Sequence, residues 1–367
     1  MSTTHSIDTR PTPAYWRLWW AGAIDNVGDG AFAVAVPLLA VTITHDPRLV
    51  SIVSAATYLP WLLFSLPVGA IVDRRDRVML MGRSQVIQAV VVAIIAVLAA
   101  LHRVGIADLA VLAFVLGACE VVFGNASQAV LPEIVPKPLL HKANGNQYTI
   151  STIGQLFLGP PLGSLLFSIA VAVPFGLDAG SFALSAALFA TLPRSRRPIV
   201  DHPPMRAAIV EGLRWLTSHR LLRTIAVLLG VNNFCNAMGT STLVLLATRT
   251  LHLTPRGHGL LLAGAAIGSV LGGLLNARVI ARVGELASLV ASLGTTVVVY
   301  LGIGLAPDAV VLAALMAVNG FSSTLWNIVT VTRRQRMVPS ELLGRVNSVY
   351  RLLGLPVLVS AMRTFRD

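Results

Sequence analysis

Residues 135–144 read VPKPLLHKAN, and residues 338–347 read VPSELLGRVN. The two segments begin 203 residues apart and agree at six of ten positions when Lys142 and Arg345 are counted as equivalent. A repeat on this scale indicates a duplicated structural unit. We therefore expect two halves with the same fold, and in a very apolar chain such a duplication is typical of transport proteins.

The composition places both halves in a membrane. Hydrophobic residues make up 55% of the chain and charged residues only 12%, whereas soluble domains carry about 25% charged residues. Mean hydropathy is +0.76. Apolar segments long enough to cross ~30 Å of hydrocarbon predict ten full spans, and an eleventh begins near residue 342. The ten full spans lie at about 15–42, 50–72, 79–101, 107–131, 147–170, 175–192, 222–247, 259–280, 286–306 and 308–331.

The repeat also predicts the domain organisation. We expect an N-terminal six-helix half at 1–192, a cytoplasmic connector at 193–221 and a C-terminal half at 222–367. About 48 residues separate Asn144 from the connector, but only 20 residues follow Asn347. The sequence therefore predicts an all-α membrane protein with about 10–11 transmembrane helices whose second half is incomplete, as in a truncated or frameshifted gene product.

Charge predicts orientation rather than nucleic-acid binding. The net charge is +12, but the basic residues lie in short connections between apolar segments. Up to Arg345, twenty-one Lys and Arg residues lie on one side of the membrane and four on the other. Because cytoplasmic loops carry the excess of positive charge, we expect a multi-pass protein of the cell membrane with a cytoplasmic N-terminus.

The connector contains one amphipathic segment. In residues 205–219, Ile209, Leu213 and Leu216 share one face of a helix while arginines lie elsewhere. This pattern predicts a helix on the membrane surface.

The loop after the second predicted span contains the first candidate motif: Gly69, Asp73, Arg74 and Arg77. A glycine here permits close approach of another helix. Asp73 lies near the C-terminal end of its own helix, where the helix dipole disfavours a carboxylate. We expect an arginine or the N-terminus of another helix beside it; the alternative is a merely solvated turn.

The fifth predicted span contains the second motif: Gly154, Gly159, Pro160 and Gly163. A proline with closely spaced glycines bends a membrane helix and thins its packing face, which is tolerated where neighbouring helices cover the freed carbonyls. The simpler interpretation is a packing seam of small residues, and both interpretations are compatible.

These motifs resemble those of the major facilitator superfamily. The loop signature matches at the four loop residues named above, although Asp76 stands where the family usually has glycine. The resemblance implies six plus six helices, a central substrate cavity and alternating access. It also implies that Asp73 steadies one access state by contact with the second half, here around residues 341–346. The fifth-span motif is similar to that of proton-coupled drug exporters, and residues 131–144, 178–182 and 337–347 resemble a branch of siderophore and macrolide exporters.

Three carboxylates within predicted spans are candidates for proton coupling: Asp25, Asp29 and Glu120. Ionisable residues in a membrane are costly and are functional candidates by default. Asp25 and Asp29 are four residues apart on one helical face, so their mutual repulsion favours binding of a proton. The alternative is that either one bonds to neighbouring polar groups and never titrates. Asp178 is expected at the membrane interface.

Amides and aromatic residues supply candidates for the substrate cavity. The repeat register places Asn26 opposite Asn232, and the full candidate set is Asn26, Asn232, Asn233, Asn236, Trp61, Phe123 and Trp326. Buried amides need partners, so they either bond between helices or present a polar wall to substrate. The aromatic residues are candidates for apolar contacts, although tryptophan is also common as an interface anchor.

The sequence thus predicts a transporter and not an enzyme. It has no metal-ligand spacing, no phosphate-binding loop and no cofactor motif. We expect a monomeric antiporter that uses protons to export an amphipathic small molecule such as a drug, macrolide or siderophore, with membrane lipids around it, as in multidrug resistance. The alternatives are a non-transporting remnant or assembly partner, an importer and a lipid flippase.

Overall fold

The computed structural model describes residues 12–193, 204–246 and 255–353, which form helices and turns without a strand. The first half comprises α1 (Pro13–Ile43), α2 (Pro47–Arg74), α3 (Arg77–Ala100), α4 (Ile106–Ile134), α5 (Leu140–Thr152), α6 (Gly159–Ile169) and α7 (Val173–Ala190). Helix α8 (Met205–Ser218) lies in the connector. The second half comprises α9 (Arg220–Leu245), α10 (Pro255–Val283), α11 (Glu285–Gly304), α12 (Ala309–Met337) and α13 (Leu343–Leu353).

These helices coincide with the predicted spans. Within the described ranges, nine helical segments are long and apolar enough to cross a membrane. Helix α9 corresponds to the seventh predicted span but is not among the nine, and its asparagines at 232, 233 and 236 lower its mean hydropathy. The eleventh predicted span begins as α13, and residues 354–367 lie outside the described ranges.

The bundle exposes many large apolar side chains and buries a set of polar side chains beside its hydrophobic core, as a lipid solvent requires. Large apolar side chains face outward, including Val97 and Leu301. Polar side chains such as Gln85, Asn125 and Thr332 are almost completely buried. Because lipid offers no hydrogen-bond partner, these groups are best placed between helices.

The fifth predicted span is a helix with a change of winding. A π-helical segment, Ile153–Leu158, joins α5 to α6, and Pro160 stands in the first turn of α6. Gly154, Gly159 and Gly163 all lie against the backbone of α1. A Cβ atom at Gly163 would lie 2.7 Å from the Cα atom of Ala31, too close for two carbon atoms. The small residues therefore allow the two helices to pack backbone to backbone.

The connector helix α8 packs against the rest of the protein through one face and leaves part of the predicted apolar face exposed. Ala208, Gly212 and Leu216 are buried, whereas Leu213 remains exposed. A Cβ atom at Gly212 would lie 2.8 Å from the Cβ atom of Arg345. The small residues face the protein because the stem of Arg345 needs that space.

The two halves meet through a crosswise set of helices. Helix α13 packs against α2 and α4, while α10 and α12 pack against α5. The α2–α3, α4–α5, α10–α11 and α12–α13 connections therefore lie close to the contacts between the halves. We call the surface that they form the bridge face.

The α1–α6 contact yields a stability prediction. Gly159→Ala should lower the midpoint of thermal unfolding in detergent, because the new methyl group would meet the backbone of Gly30 and Ala31; overpacking of this kind costs about 1–3 kcal/mol. Gly180→Ala is the matched control, since a Cβ atom there meets no atom within 4 Å. Equal unfolding midpoints for the two variants would contradict the close packing.

Candidate functional site

The carboxylate of Asp73, in the last turn of α2, receives N–H groups from the first turn of α13. Its Oδ1 accepts from the backbone N–H of Gly344 at 2.7 Å. Its Oδ2 accepts from the backbone N–H and from the Nε–H of Arg345, each at 3.0 Å. The free N–H groups at a helix N-terminus favour a negative charge. Asp73 therefore contacts the predicted segment of the second half, and we call this contact the Asp73 bridge.

Two other residues of the loop motif support the Asp73 bridge. A Cβ atom at Gly69 would lie 2.7 Å from the carbonyl oxygen of Gly344, so glycine permits the approach of α13. The fully buried Arg77 pairs with Glu133 at 2.8 Å and donates to the carbonyl oxygen of Ser340 at 2.6 Å. Arg74 is half-buried.

A second charged contact joins the halves at the bridge face. Glu285, at the start of α11, accepts from Nε2 of His141 at 2.8 Å when that nitrogen carries the proton, and it pairs with Arg336. Arg336 also donates to the carbonyl oxygen of Lys137 at 3.0 Å. His141 and Lys137 belong to the first half, and Glu285 and Arg336 to the second. We call this contact the Glu285 bridge.

The asparagines that end the two repeated segments both bond to α12. The Nδ2 of Asn144 donates to Thr332 Oγ1 at 2.9 Å and to Gln335 Oε1 at 2.7 Å. The Oδ1 of Asn347 accepts from Nε of Arg334. The repeat therefore preserves an asparagine in each half, and each of the two asparagines anchors its own helix to α12.

Between the halves lies a cavity of about 740 Å³. Its walls include carboxylates of the first half, guanidinium groups of the second half, and aromatic and amide side chains of both. The principal lining residues are Asp29, Tyr58, Trp61, Gln88, Glu120, Tyr148, Asp178, Phe182, Asn233, Asn327, Arg334, Tyr350 and Arg351.

The three predicted carboxylates do not occupy equivalent positions. Asp29 and Glu120 line the cavity. Asp25 is buried behind it, where its Oδ1 accepts from the Ser185 hydroxyl at 2.6 Å and its Oδ2 accepts from the Gln85 amide. Asp25 therefore ties α1 to α3 and α7, which matches the interpretation as a neighbour-bonded carboxylate.

Asp178 is a site residue that the sequence reasoning misplaced. It is buried, lines the same cavity as Asp29, and lies beside Ser181. We expected it at the membrane interface because it is near the beginning of its apolar segment. The signal that could have identified it is its register on α7, where Asp178, Ser181 and Ser185 form a polar face.

The predicted polar and aromatic residues are divided between two cavities. Trp61 and Asn233 line the larger cavity. Asn26 and Phe123 line an adjoining cavity of about 280 Å³. The Oδ1 of Asn26 accepts from Gln155 at 2.9 Å, so this amide bonds between α1 and the π-helical segment.

Three predicted cavity residues lie elsewhere. Trp326 is buried in the hydrophobic core and lines neither of these cavities. Asn232 and Asn236 are half-buried on α9 and are not among the residues that line them. Trp326 packs in an apolar environment together with its neighbours on α12, Leu325 and Val329, which are also core residues.

The structure adds two basic residues that the sequence reasoning did not select. Arg334 of α12 and Arg351 of α13 both line the larger cavity. The available signal is a charged residue within or beside an apolar segment, which applies to arginine as well as to carboxylates. In the charge count Arg334 belongs to the basic residues of the connections, and Arg351 lies beyond the counted residues.

A bundle of membrane-spanning helices in two halves around a polar cavity is the architecture of a transport protein. The family model of the Major Facilitator Superfamily matches residues 18–357. The chain therefore belongs to the major facilitator superfamily, and it is a multi-pass membrane protein.

Several relatives with curated names are efflux proteins. The multidrug efflux pump Tap of Mycolicibacterium fortuitum is 28% identical over 346 residues, which cover 90% of this chain and 83% of the pump. The enterobactin exporter EntS of Shigella boydii is 24% identical over 348 residues, which cover 92% of this chain and 81% of the exporter. These relatives are consistent with the efflux branch that the sequence resembled.

Solved structures share the fold over almost the whole chain. A bacterial homologue of the iron transporter ferroportin superposes with a TM-score of 0.78 at 15% identity, covering 97% of this chain and 93% of that chain. The human organic anion transporter MFSD10 superposes with a TM-score of 0.78 at 16% identity, covering 95% and 94%. Both matches support the fold of two helical halves.

The cavity geometry predicts different solvent access for the carboxylate positions. In a background with Cys119→Ser and Cys235→Ser, Asp29→Cys and Glu120→Cys should react with a membrane-impermeant thiosulfonate reagent about tenfold or more faster than Asp25→Cys, because reaction requires an accessible thiolate. Asp46→Cys, at an exposed position, is the positive control. Rapid labelling of Asp25→Cys would contradict the assignment of Asp25 to the wall behind the cavity.

Proposed function

We propose that this protein exports amphipathic small molecules by alternating access, coupled to protons that enter from outside. The observation that carries the proposal is the cavity between the halves, which brings Asp29 and Glu120 together with Trp61 and Tyr58. Aromatic side chains accept an apolar molecule, and carboxylates accept a proton or a cationic group. Similarity to a multidrug efflux pump and to an enterobactin exporter supports export.

Glu120 is the residue best placed to link a proton to the movement of the halves. The positive charge of Arg351, on α13, attracts the Glu120 carboxylate. Arg351 also donates to the carbonyl oxygen of Gly124, one turn further along α4, at 2.7 Å. A proton on Glu120 removes that attraction, so it weakens one electrostatic interaction between the halves. Asp29 adds a second carboxylate to the same cavity.

The bridge face supplies the gate. In the proposed cycle the Asp73 bridge and the Glu285 bridge hold the halves together at this face. The excess of basic residues supports a cytoplasmic location for it. Breaking both bridges opens the cavity to the cytoplasm for substrate. Re-forming them closes that route, and the substrate leaves on the opposite side.

Transport by the purified protein tests the coupling residues. In liposomes with an imposed proton gradient, wild type should accumulate rhodamine 123, an amphipathic cation, on the acidic side beyond protein-free vesicles. Glu120→Gln and Asp29→Asn should each lower the proton-driven rate about tenfold or more, because neither amide can carry the proton. Asp46→Asn is the control, since Asp46 caps α2 at the surface and asparagine caps equally well.

The direction of accumulation separates the alternatives. Accumulation of the dye on the alkaline side would indicate proton-coupled import. No movement of the dye with the wild-type protein would contradict the proposal that the protein is a transporter. Movement of a labelled phospholipid in place of the dye would favour a flippase.

The Asp73 bridge makes a separate prediction about conformation. Asp73→Asn removes the negative charge that the N-terminus of α13 and the Arg345 side chain stabilise. Hydrogen bonds to a charged group contribute about 1.5–3 kcal/mol. Nitroxide labels at Arg75→Cys and Met337→Cys, both exposed, should show a larger fraction of long distances in this variant. Asp76→Asn is the matched control, because Asp76 only caps α3. An unchanged distance distribution would refute the gating role.

A further inference from the structure

The second half contributes two positive charges to the cavity, and neither has a carboxylate partner in direct contact. Arg334 is 4% exposed and lies on α12, while Arg351 lies on α13. Among the described residues, no carboxylate oxygen lies within 4.0 Å of either guanidinium group. By contrast, the buried Arg77 pairs directly with Glu133.

Among the residues that the structure describes, the hydrogen-bond and ring partners of these guanidinium groups are neutral. Arg334 donates from Nε to Asn347 and from Nη2 to Gln128 Oε1 at 3.2 Å. Its guanidinium carbon lies 4.3 Å from the centre of the Tyr350 ring. The guanidinium group of Arg334 is therefore held in a fixed orientation by two amides and an aromatic ring, without being neutralised.

Arg351 is held in the same manner, but by residues of the first half. It donates to the Gly124 carbonyl oxygen, and its guanidinium carbon lies 5.1 Å from the Trp61 ring centre. A Cβ atom at Gly124 would lie 2.8 Å from that guanidinium carbon, so the glycine makes room for the group. The Nε atom of Arg351 is buried and has no hydrogen-bond partner within residues 12–193, 204–246 and 255–353.

A buried guanidinium without a counter-charge is unfavourable, because arginine cannot lose its proton and burial removes its hydration. Its planar N–H groups match the two oxygens of a carboxylate. Glu120 attracts Arg351 from a distance, but it makes no direct pair, and Arg334 has no acidic neighbour of this kind. A bound anion would supply the missing charge.

We propose that Arg334 and Arg351 bind an anionic group, such as a carboxylate, of the transported molecule. The substrate class is then amphoteric: the anionic end lies on the second half, and the cationic or protonated side lies towards Asp29 and Glu120 of the first half. This assignment rests on the proposed export function and specifies its substrate.

A pair of matched dyes tests the assignment. Rhodamine 123 and rhodamine 110 share one cationic ring system, but the first carries a methyl ester and the second a free carboxylate. Binding of each dye is measured by fluorescence polarisation with the full chain in lipid nanodiscs. Wild type should bind the acid more tightly than the ester. Arg334→Gln and Arg351→Gln should each weaken binding of the acid about tenfold more than binding of the ester.

Two further variants separate recognition of charge from damage to the fold. Arg334→Lys should retain part of the preference for the acid, because lysine keeps the charge but loses the planar pair of donors. Arg103→Gln is the control, since Arg103 is exposed and outside the cavity. It should leave both affinities unchanged.

The outcomes distinguish this inference from the proposed function. Preference of wild type for the ester, or equal loss of both dyes in the glutamine and lysine variants, would overturn the anion site while transport of amphipathic cations stands. Failure of wild type to bind or move either dye would overturn the export function and the anion site together.

Discussion

The contact between one carboxylate and one helix N-terminus determines how the two halves are held together. Asp73 accepts two backbone N–H groups and one side-chain N–H group from the start of α13. Each group is charged or lies at the positive end of a helix dipole, and the site is nearly dry. Arg345 then extends this contact to the connector, because its Nη1 donates to Glu211 of α8 at 2.7 Å. A single residue of α2 thereby organises the first half, the second half and the segment between them.

The duplication does not make this contact symmetric. At the position equivalent to Asp73 the second half has Asn276, which is buried and lies against Gly145 of α5. An amide cannot neutralise a helix N-terminus as a carboxylate does. The charge of the second half is supplied instead by Glu285, which pairs with His141 and Arg336. Equivalent helix pairs, α2 with α13 and α10 with α5, therefore meet across the interface. The negative charge beside each pair comes from a different position in the repeat.

The sequence could predict the features that depend on local pattern. Apolar length located the helices, and the position of Asp73 at the end of its helix predicted an arginine or a helix N-terminus beside it. The family resemblance of the loop motif implied that this partner lies at residues 341–346. The division of the carboxylates could not be predicted in this way. Asp25 and Asp29 share a helical face, yet Ser185 and Gln85 bury the first while the second reaches the cavity. Such a distinction depends on how α3 and α7 approach α1, which the spacing of residues along α1 does not record.

The arginines of the cavity show the same limit. Arg334 is adjacent in sequence to Arg333 and close to Arg336, both of which meet Glu285 at the bridge face. A count of basic residues treats all three as one cluster at the end of a helix. Only the rotation of α12 separates them, since it directs Arg334 towards Asn347 and the cavity. The rotation is fixed by the partners Asn144 and Asn347, which belong to the other helices of the interface.

Opening of the bridge face therefore requires several charged contacts to break together. The Asp73 bridge and the Glu285 bridge act between the same two halves, so loss of one lowers the free-energy cost of opening while the other still opposes it. Hydrogen bonds to charged groups contribute about 1.5–3 kcal/mol each, and a ligand shifts such an equilibrium only by its differential affinity for the two states. The proposed cycle thus needs ligands that act at the interface itself. A proton on Glu120 and an anionic group on Arg351 would act in this way, because one residue belongs to each half and both face the cavity.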